Sequence, residues 1–108
     1  MRIGIVGGLD RSARDLEEVA RAWGHELDTH TGVVTGKAAA DSLRALVVRS
    51  DLVFVLTDVN SHNGVRLARE TARAHRRPLR ILRRLGLKHL TAYLQAQVAG
   101  AEPTRDAA

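Results

Sequence analysis

Two short stretches carry the groups best able to do chemistry: Gly7-Gly8, and Thr57-Asp58-Val59-Asn60-Ser61-His62-Asn63. A glycine pair lets backbone N–H groups approach a phosphate at the start of a following helix, where the peptide dipoles favour an anion. In the second stretch a carboxylate, a hydroxyl, an imidazole and an amide stand within six positions. His62 could serve as a general acid or base, an anion-contacting donor or a metal ligand. The expected ligand-binding set is Gly7, Gly8, Arg11, Asp58, Ser61, His62 and Asn63, with Lys37, Arg83 and Arg84 at its rim. A reaction, if one is catalysed, would be that of a small hydrolase or transferase using His62 with Asp58. A metal would draw on His30, Asp58 and His62, because His25, His75 and His89 lie scattered without ligand spacing. Plainer roles compete with each of these. Gly7-Gly8 can be a tight turn, Asp58 an Asx-type turn, Ser61 a helix N-cap, and His62 a partner of nearby backbone.

Several stronger motifs are approached and missed. Gly8-Leu9-Asp10-Arg11 supplies no third glycine at the offset of a dinucleotide fingerprint. Gly32-Val33-Val34-Thr35-Gly36-Lys37 has three residues between its glycines where a Walker A loop needs four, and Ala38 follows the lysine. Lys37 can still reach towards a crevice from such a loop. Asp58 stands where a receiver domain carries its phosphorylated aspartate, but Gly7-Gly8 replaces the acidic pair that receivers need. Ser61 and His62 are adjacent, so their side chains diverge and do not suit a nucleophile–base pair. No cofactor is specified. Binding is favoured over catalysis.

The elements that position these groups follow from hydrophobic pattern. Ile3 to Val6 and Leu52 to Leu56 are continuous apolar runs, as buried parallel strands are. After Gly8, Asp10 or Ser12 can cap a helix that buries Ala13, Leu16, Val19, Ala20 and Trp23 and ends at Gly24. His25 to Asp28 is a short polar strand suited to an edge, and a loop follows from His30. Helices are predicted from Lys37 to Arg49 with Ala40, Leu43, Leu46 and Val47 inside, from Ser61 with Val65, Ala68 and Ala72 inside, and from Leu87 with Leu90, Leu94 and Val98 inside. Leu79 to Leu82 is a fourth strand, and Arg80 within it implies the other edge. Four βα units predict an α/β, three-layer domain over residues 1–98, with a parallel sheet of order 2-1-3-4. That is a truncated flavodoxin-like, Rossmann-like arrangement, with its ligand crevice where strands one and three diverge. Residues 99–108 have no period and the composition of a disordered tail.

The 108 residues contain no cysteine, which excludes disulfides, thiolate metal sites and cysteine catalysis. The apolar runs fall far short of the roughly 20 residues of a membrane span, and Met1-Arg2-Ile3 lacks a signal-peptide layout. A cytoplasmic location without membrane association is expected. The formal charge of +5 is unevenly placed: residues 66–88 hold nine Lys/Arg against Glu70 alone. That suggests an anionic partner, whether nucleotide, nucleic acid or an acidic protein surface, and as an alternative function a basic interaction module for nucleic acid or an acidic protein, although Arg also serves as an ordinary solvating helix former. Nucleic acid is not favoured, since Phe54, Trp23 and Tyr93 do not interleave with the basic residues as base-stacking platforms require. A small domain with two short edge strands is expected to form a homodimer through helices or the fourth strand.

Taken together, Ile5-Val6-Gly7-Gly8 before a helix, His30-x-Gly32, Asp51-Leu52-Val53-x-Val55-x-Thr57-Asp58 and Ser61-His62-Asn63 before a basic helix resemble the small bacterial family catalogued as domain of unknown function 2325. The resemblance covers roughly residues 2–95, and Ser61-His62-Asn63 is its most distinctive element. It implies the α/β fold and this choice of site, and no activity. Many members carry a cysteine between the positions of Asp58 and Ser61; Val59 and Asn60 stand there in this chain, which removes a thiol-based role.

Overall fold

The alternation of apolar runs and amphipathic segments resolves into eight elements in the computed structural model, which describes residues 1–8 and 10–98, without the side chains of 10–12, 97 and 98. In chain order they are β1 (Arg2–Val6), α1 (Asp10–Ala22), β2 (Glu26–His30), α2 (Lys37–Arg49), β3 (Leu52–Leu56), α3 (His62–Ala74), β4 (Leu79–Leu82) and α4 (Leu87–Val98). All strand pairings are parallel and the order is β2-β1-β3-β4, as predicted. β3 is buried along its whole length, which is why it reads as an unbroken apolar run.

Period two sorts the strand residues onto two faces. Ile3, Ile5, Leu52, Phe54 and Leu56 pack against Leu16 and Ala20 of α1 and Leu90 and Leu94 of α4. Val6, Val53 and Val55 pack against Leu43, Leu46 and Val47 of α2 and Ala68 and Ala72 of α3. Connections running from β1 outward to β2 therefore use one face, and those running back through β3 to β4 use the other. This is what right-handed crossovers require. Gly4 belongs to the second face. A Cβ there would fall 2.4 Å from Ser50 Oγ and 2.6 Å from Leu46 Cδ2, so its absence lets the end of α2 lie against β1.

Some boundaries moved. β2 begins one residue and ends two residues later than the polar run suggested, because parallel pairing continues to Ile5↔Thr29 and Val6↔His30. His30 thus closes a strand rather than opening a loop. Ala40 is half-buried rather than core, while Gly24, with φ 84°, ends α1 as expected. The capping role of Asp10 or Ser12, the burial of Val98 and the nature of residues 99–108 lie outside the described residues and side chains. Among the described residues, no helix is long and apolar enough to cross a membrane.

Candidate functional site

β1 and β3 are neighbours whose chains leave to opposite faces, β1 into α1 and β3 into α3. Their carboxyl ends form the switch point at which open α/β sheets take ligands. A cavity of about 310 Å³ opens there on the α1/α4 side. Its inner wall is apolar, from Ile5, Ala13, Leu16, Leu56 and Leu85, while Thr29, His30, Asp58, Arg83 and Arg84 bring polar groups to it. Gly7, Gly8, Val59 and Gly86 also line it.

The expected site residues divide into two groups. Gly7, Gly8, Asp58, Arg83 and Arg84 converge on this cavity. Ser61, His62, Asn63 and Lys37 are not among its lining residues. Lys37 bonds Asp41 on its own helix at 3.0 Å instead of reaching across. His62 is exposed in the first turn of α3, beside an exposed Asn63 whose Oδ1 accepts from Arg66 at 3.4 Å. The side chain of Arg11 lies outside those described.

The glycine pair does not present its N–H groups to a ligand. Gly7 N–H donates to His30 O and Gly8 N–H to Val59 O, both at 2.7 Å. The expected phosphate contact from these two amides is corrected accordingly: neighbouring loops already occupy them. Gly7 is required for close approach. Its φ is +103°, and a Cβ would fall 2.5 Å from Asn60 Nδ2 and 2.6 Å from Leu56 O.

Asn60, which the sequence did not single out, organises this edge. Its Nδ2 donates to Val6 O at 3.1 Å and Leu56 O at 2.8 Å, while Oδ1 accepts from Ser61 N–H at 2.8 Å. One amide thereby ties the exit of β1 to the exit of β3 and to the entry of α3. Ser61 extends the tie. Its Oγ accepts from Gly64 N–H at 2.8 Å, capping α3, and donates to Gly32 O at 2.5 Å. Gly32 and Gly64 meet here: a Cβ on Gly64 would fall 2.0 Å from Gly32 O, and one on Gly32 2.0 Å from Asn60 Oδ1. A glycine in a helical first turn is costly without such a contact, and that cost was the legible sign of this junction.

His30 braces the same loop. Nδ1 accepts from Gly32 N–H at 2.9 Å, which sets the tautomer that lets Nε2 donate to Ala39 O at 3.2 Å. Both ring nitrogens are therefore occupied by backbone, which takes His30 out of the expected metal set. Among the described residues, no group of three His, Cys, Asp or Glu side chains could hold a metal ion.

At the cavity mouth Asp58 accepts from Arg83 Nε at 3.4 Å, an exposed pair of small energetic weight. The β3 exit is tied to the β4 exit by Thr57 N–H to Leu82 O and Asp58 N–H to Arg83 O, both 2.9 Å. This ladder holds the Arg83–Gly86 turn over the cavity. Arg84 is exposed, and among the described residues it has no carboxylate partner. The arrangement can enclose an apolar ring or chain, offer Asp58 to hydroxyl or amino donors, and meet an anionic group with Arg84.

A family model described as "Uncharacterized protein conserved in bacteria (DUF2325)" matches residues 2–97. The comparisons with curated proteins and with solved structures each return no match.

Proposed function

The chain belongs to this bacterial family, and we propose that its domain is a binding or regulatory module that takes a small anionic ligand, nucleotide-like in shape, at the switch point. The observation that carries the reading is the cavity: about 310 Å³, apolar inside, with arginines at its mouth. That volume is at the lower end for small-molecule sites, which combine apolar walls with a few polar groups that fix orientation. A flat apolar portion would lie against Ile5, Leu16 and Leu85. The anionic end would meet Arg84 and the N-terminal end of α1, where the helix dipole favours negative charge. The module acts in the cytoplasm as a homodimer built through the β4 edge.

The alternative of a small hydrolase or transferase using His62 with Asp58 receives less support. Asp58 lines the cavity and His62 does not. Among the described residues, nothing in the lining pairs a nucleophile with a base.

The test is a melting screen against nucleotides, phosphosugars and other small anions. A ligand present at about 100 times its Kd adds about 2.7 kcal/mol, which is roughly 10–20 °C for a domain of this size. Ala13→Phe, which fills the cavity from α1, should abolish the response, and Arg84→Ala should weaken it for anionic ligands specifically. A response that survives Ala13→Phe undiminished refutes this site.

A further inference from the structure

The basic face of α3 takes no part in the cavity, which opens on the opposite side of the sheet. Arg66, Arg69 and Arg73 follow one another at helical spacing, and Arg77 lies beyond the helix end; together with Glu70 and Leu79 they line an open groove of about 520 Å³. Elsewhere Arg2 bonds Glu26, Arg44 bonds Asp41, Arg49 bonds Asp28 and Arg83 bonds Asp58, while Arg14, Arg21 and Arg84 bond no carboxylate among the described residues. What sets α3 apart is that its arginines share one groove. Among the described residues, Arg69, Arg73, Arg76 and Arg77 bond no carboxylate, and Arg66 bonds only Asn63. Arg77 is half-buried, with its Nε covered and without a hydrogen-bond partner. Arg76 occupies the left-handed position that ends the helix, with φ 55°, where glycine is the favoured residue.

We propose that this face docks on the phosphate backbone of double-stranded nucleic acid, without reading sequence. Arg66 to Arg73 spans about 10 Å of helix, over which a duplex presents about six phosphates. A protein partner fits poorly. Among the described residues the exposed large apolar ones are Val33, Val59, Ile81 and Leu87, none of them on α3, whereas protein interfaces centre on apolar and aromatic anchors and deplete charge there. Nucleic-acid interfaces are polar and strongly positive. Single strands fit no better, because stacking platforms need exposed rings and Phe54, Trp23 and Tyr93 all pack into the cluster on the other face of the sheet.

The test is fluorescence anisotropy of the full 108-residue chain with labelled duplex DNA, duplex RNA and single-stranded DNA of mixed sequence. Four arginine–phosphate contacts imply a slope of about −3.6 in log K against log salt, hence about a 150-fold loss between about 50 and 200 mM. Arg69→Ala with Arg73→Ala should reduce that loss to about 12-fold and leave melting unchanged. Arg2→Ala with Arg44→Ala removes the same net charge elsewhere and should leave the slope as it was. Comparable binding to both duplexes supports the shared phosphate chemistry, and preference for one names the source. The proposal is overturned if no duplex binds at low salt, if the two double variants lose equally, if the single strand binds as tightly as the duplexes, or if poly-glutamate competes as well as duplex does.

Discussion

Asn60→Ala should be among the most damaging substitutions outside the core, although the residue is only half-buried. The side chain makes three hydrogen bonds, to Val6 O, Leu56 O and Ser61 N–H, at 3.1, 2.8 and 2.8 Å. Each contributes about 0.5–1.5 kcal/mol net, and a buried group left unmatched costs about 1–3 kcal/mol. Water can reach part of this junction, which lowers the expected loss to about 2–4 kcal/mol. Against a typical stability of about 5–15 kcal/mol that is a large share. It corresponds to roughly 10–25 °C in Tm for a domain of this size.

Asn60→Asp separates hydrogen bonding from mere space filling. The shape is kept, and one oxygen can still accept from Ser61 N–H. The other oxygen would face Val6 O and Leu56 O, acceptor against acceptors. That environment raises the carboxyl pKa, so the deficit is largest at neutral pH and shrinks as pH falls towards about 4. Calorimetry at two pH values measures both effects. If both variants melt within two or three degrees of the parent, the amide does not hold the three loops together, and the account of this edge is wrong.

Three further outcomes follow from the same packing. Val55→Ala, at a fully buried central-strand position, should cost about 1–3 kcal/mol, whereas exposed His62→Ala should stay within about 0.5 kcal/mol; the reverse order in denaturant melts would make His62 structural. Burial first, and then the Met1 ammonium 2.7 Å from its Nδ1, lower the His25 pKa. The unfolded chain therefore takes up a proton that the folded one resists, and stability should fall as pH drops below about 6.5; His25→Gln should flatten that part of the profile. On β4, the bonds from Val53 N–H to Pro78 O and Thr57 N–H to Leu82 O turn the main chain of Leu79 and Ile81 outward, and the Ile81 side chain is 46% exposed. Two-fold antiparallel pairing centred on Ile81 would join two copies, and Ile81→Lys should break it in light scattering; a monomeric parent at high micromolar concentration refutes it.

The fold was legible because burial on both faces leaves little freedom in sequence. Leu52 to Leu56 cannot be a surface strand, and the polar Glu26–His30 and the interrupted Leu79–Leu82 cannot be central ones. Ordering two apolar and two mixed strands then admits few arrangements. The error in β2 came from reading polarity as a boundary. Parallel pairing with Ile5 and Val6 extended the strand past residues that local preference would end it at.

The sheet edge on which the expected residues lie was legible, and their contacts were not. Gly7-Gly8 and Ser61 look like ligand chemistry because they combine conformational freedom with hydrogen-bonding capacity. Three loops crossing within one residue's reach require the same properties. Which use prevails depends on whether a carbonyl from elsewhere in the chain arrives first. His30 O, Val59 O and Gly32 O do arrive, across separations that no local pattern encodes. The residues of chemical appearance therefore build the frame, while the cavity wall comes from Ala13, Leu16 and Leu85, whose types announce nothing. Substitutions at Ala13, Arg84 or Leu85 can change what enters the cavity without touching the Asn60 junction. Ligand preference should accordingly vary at these positions while the frame stays intact.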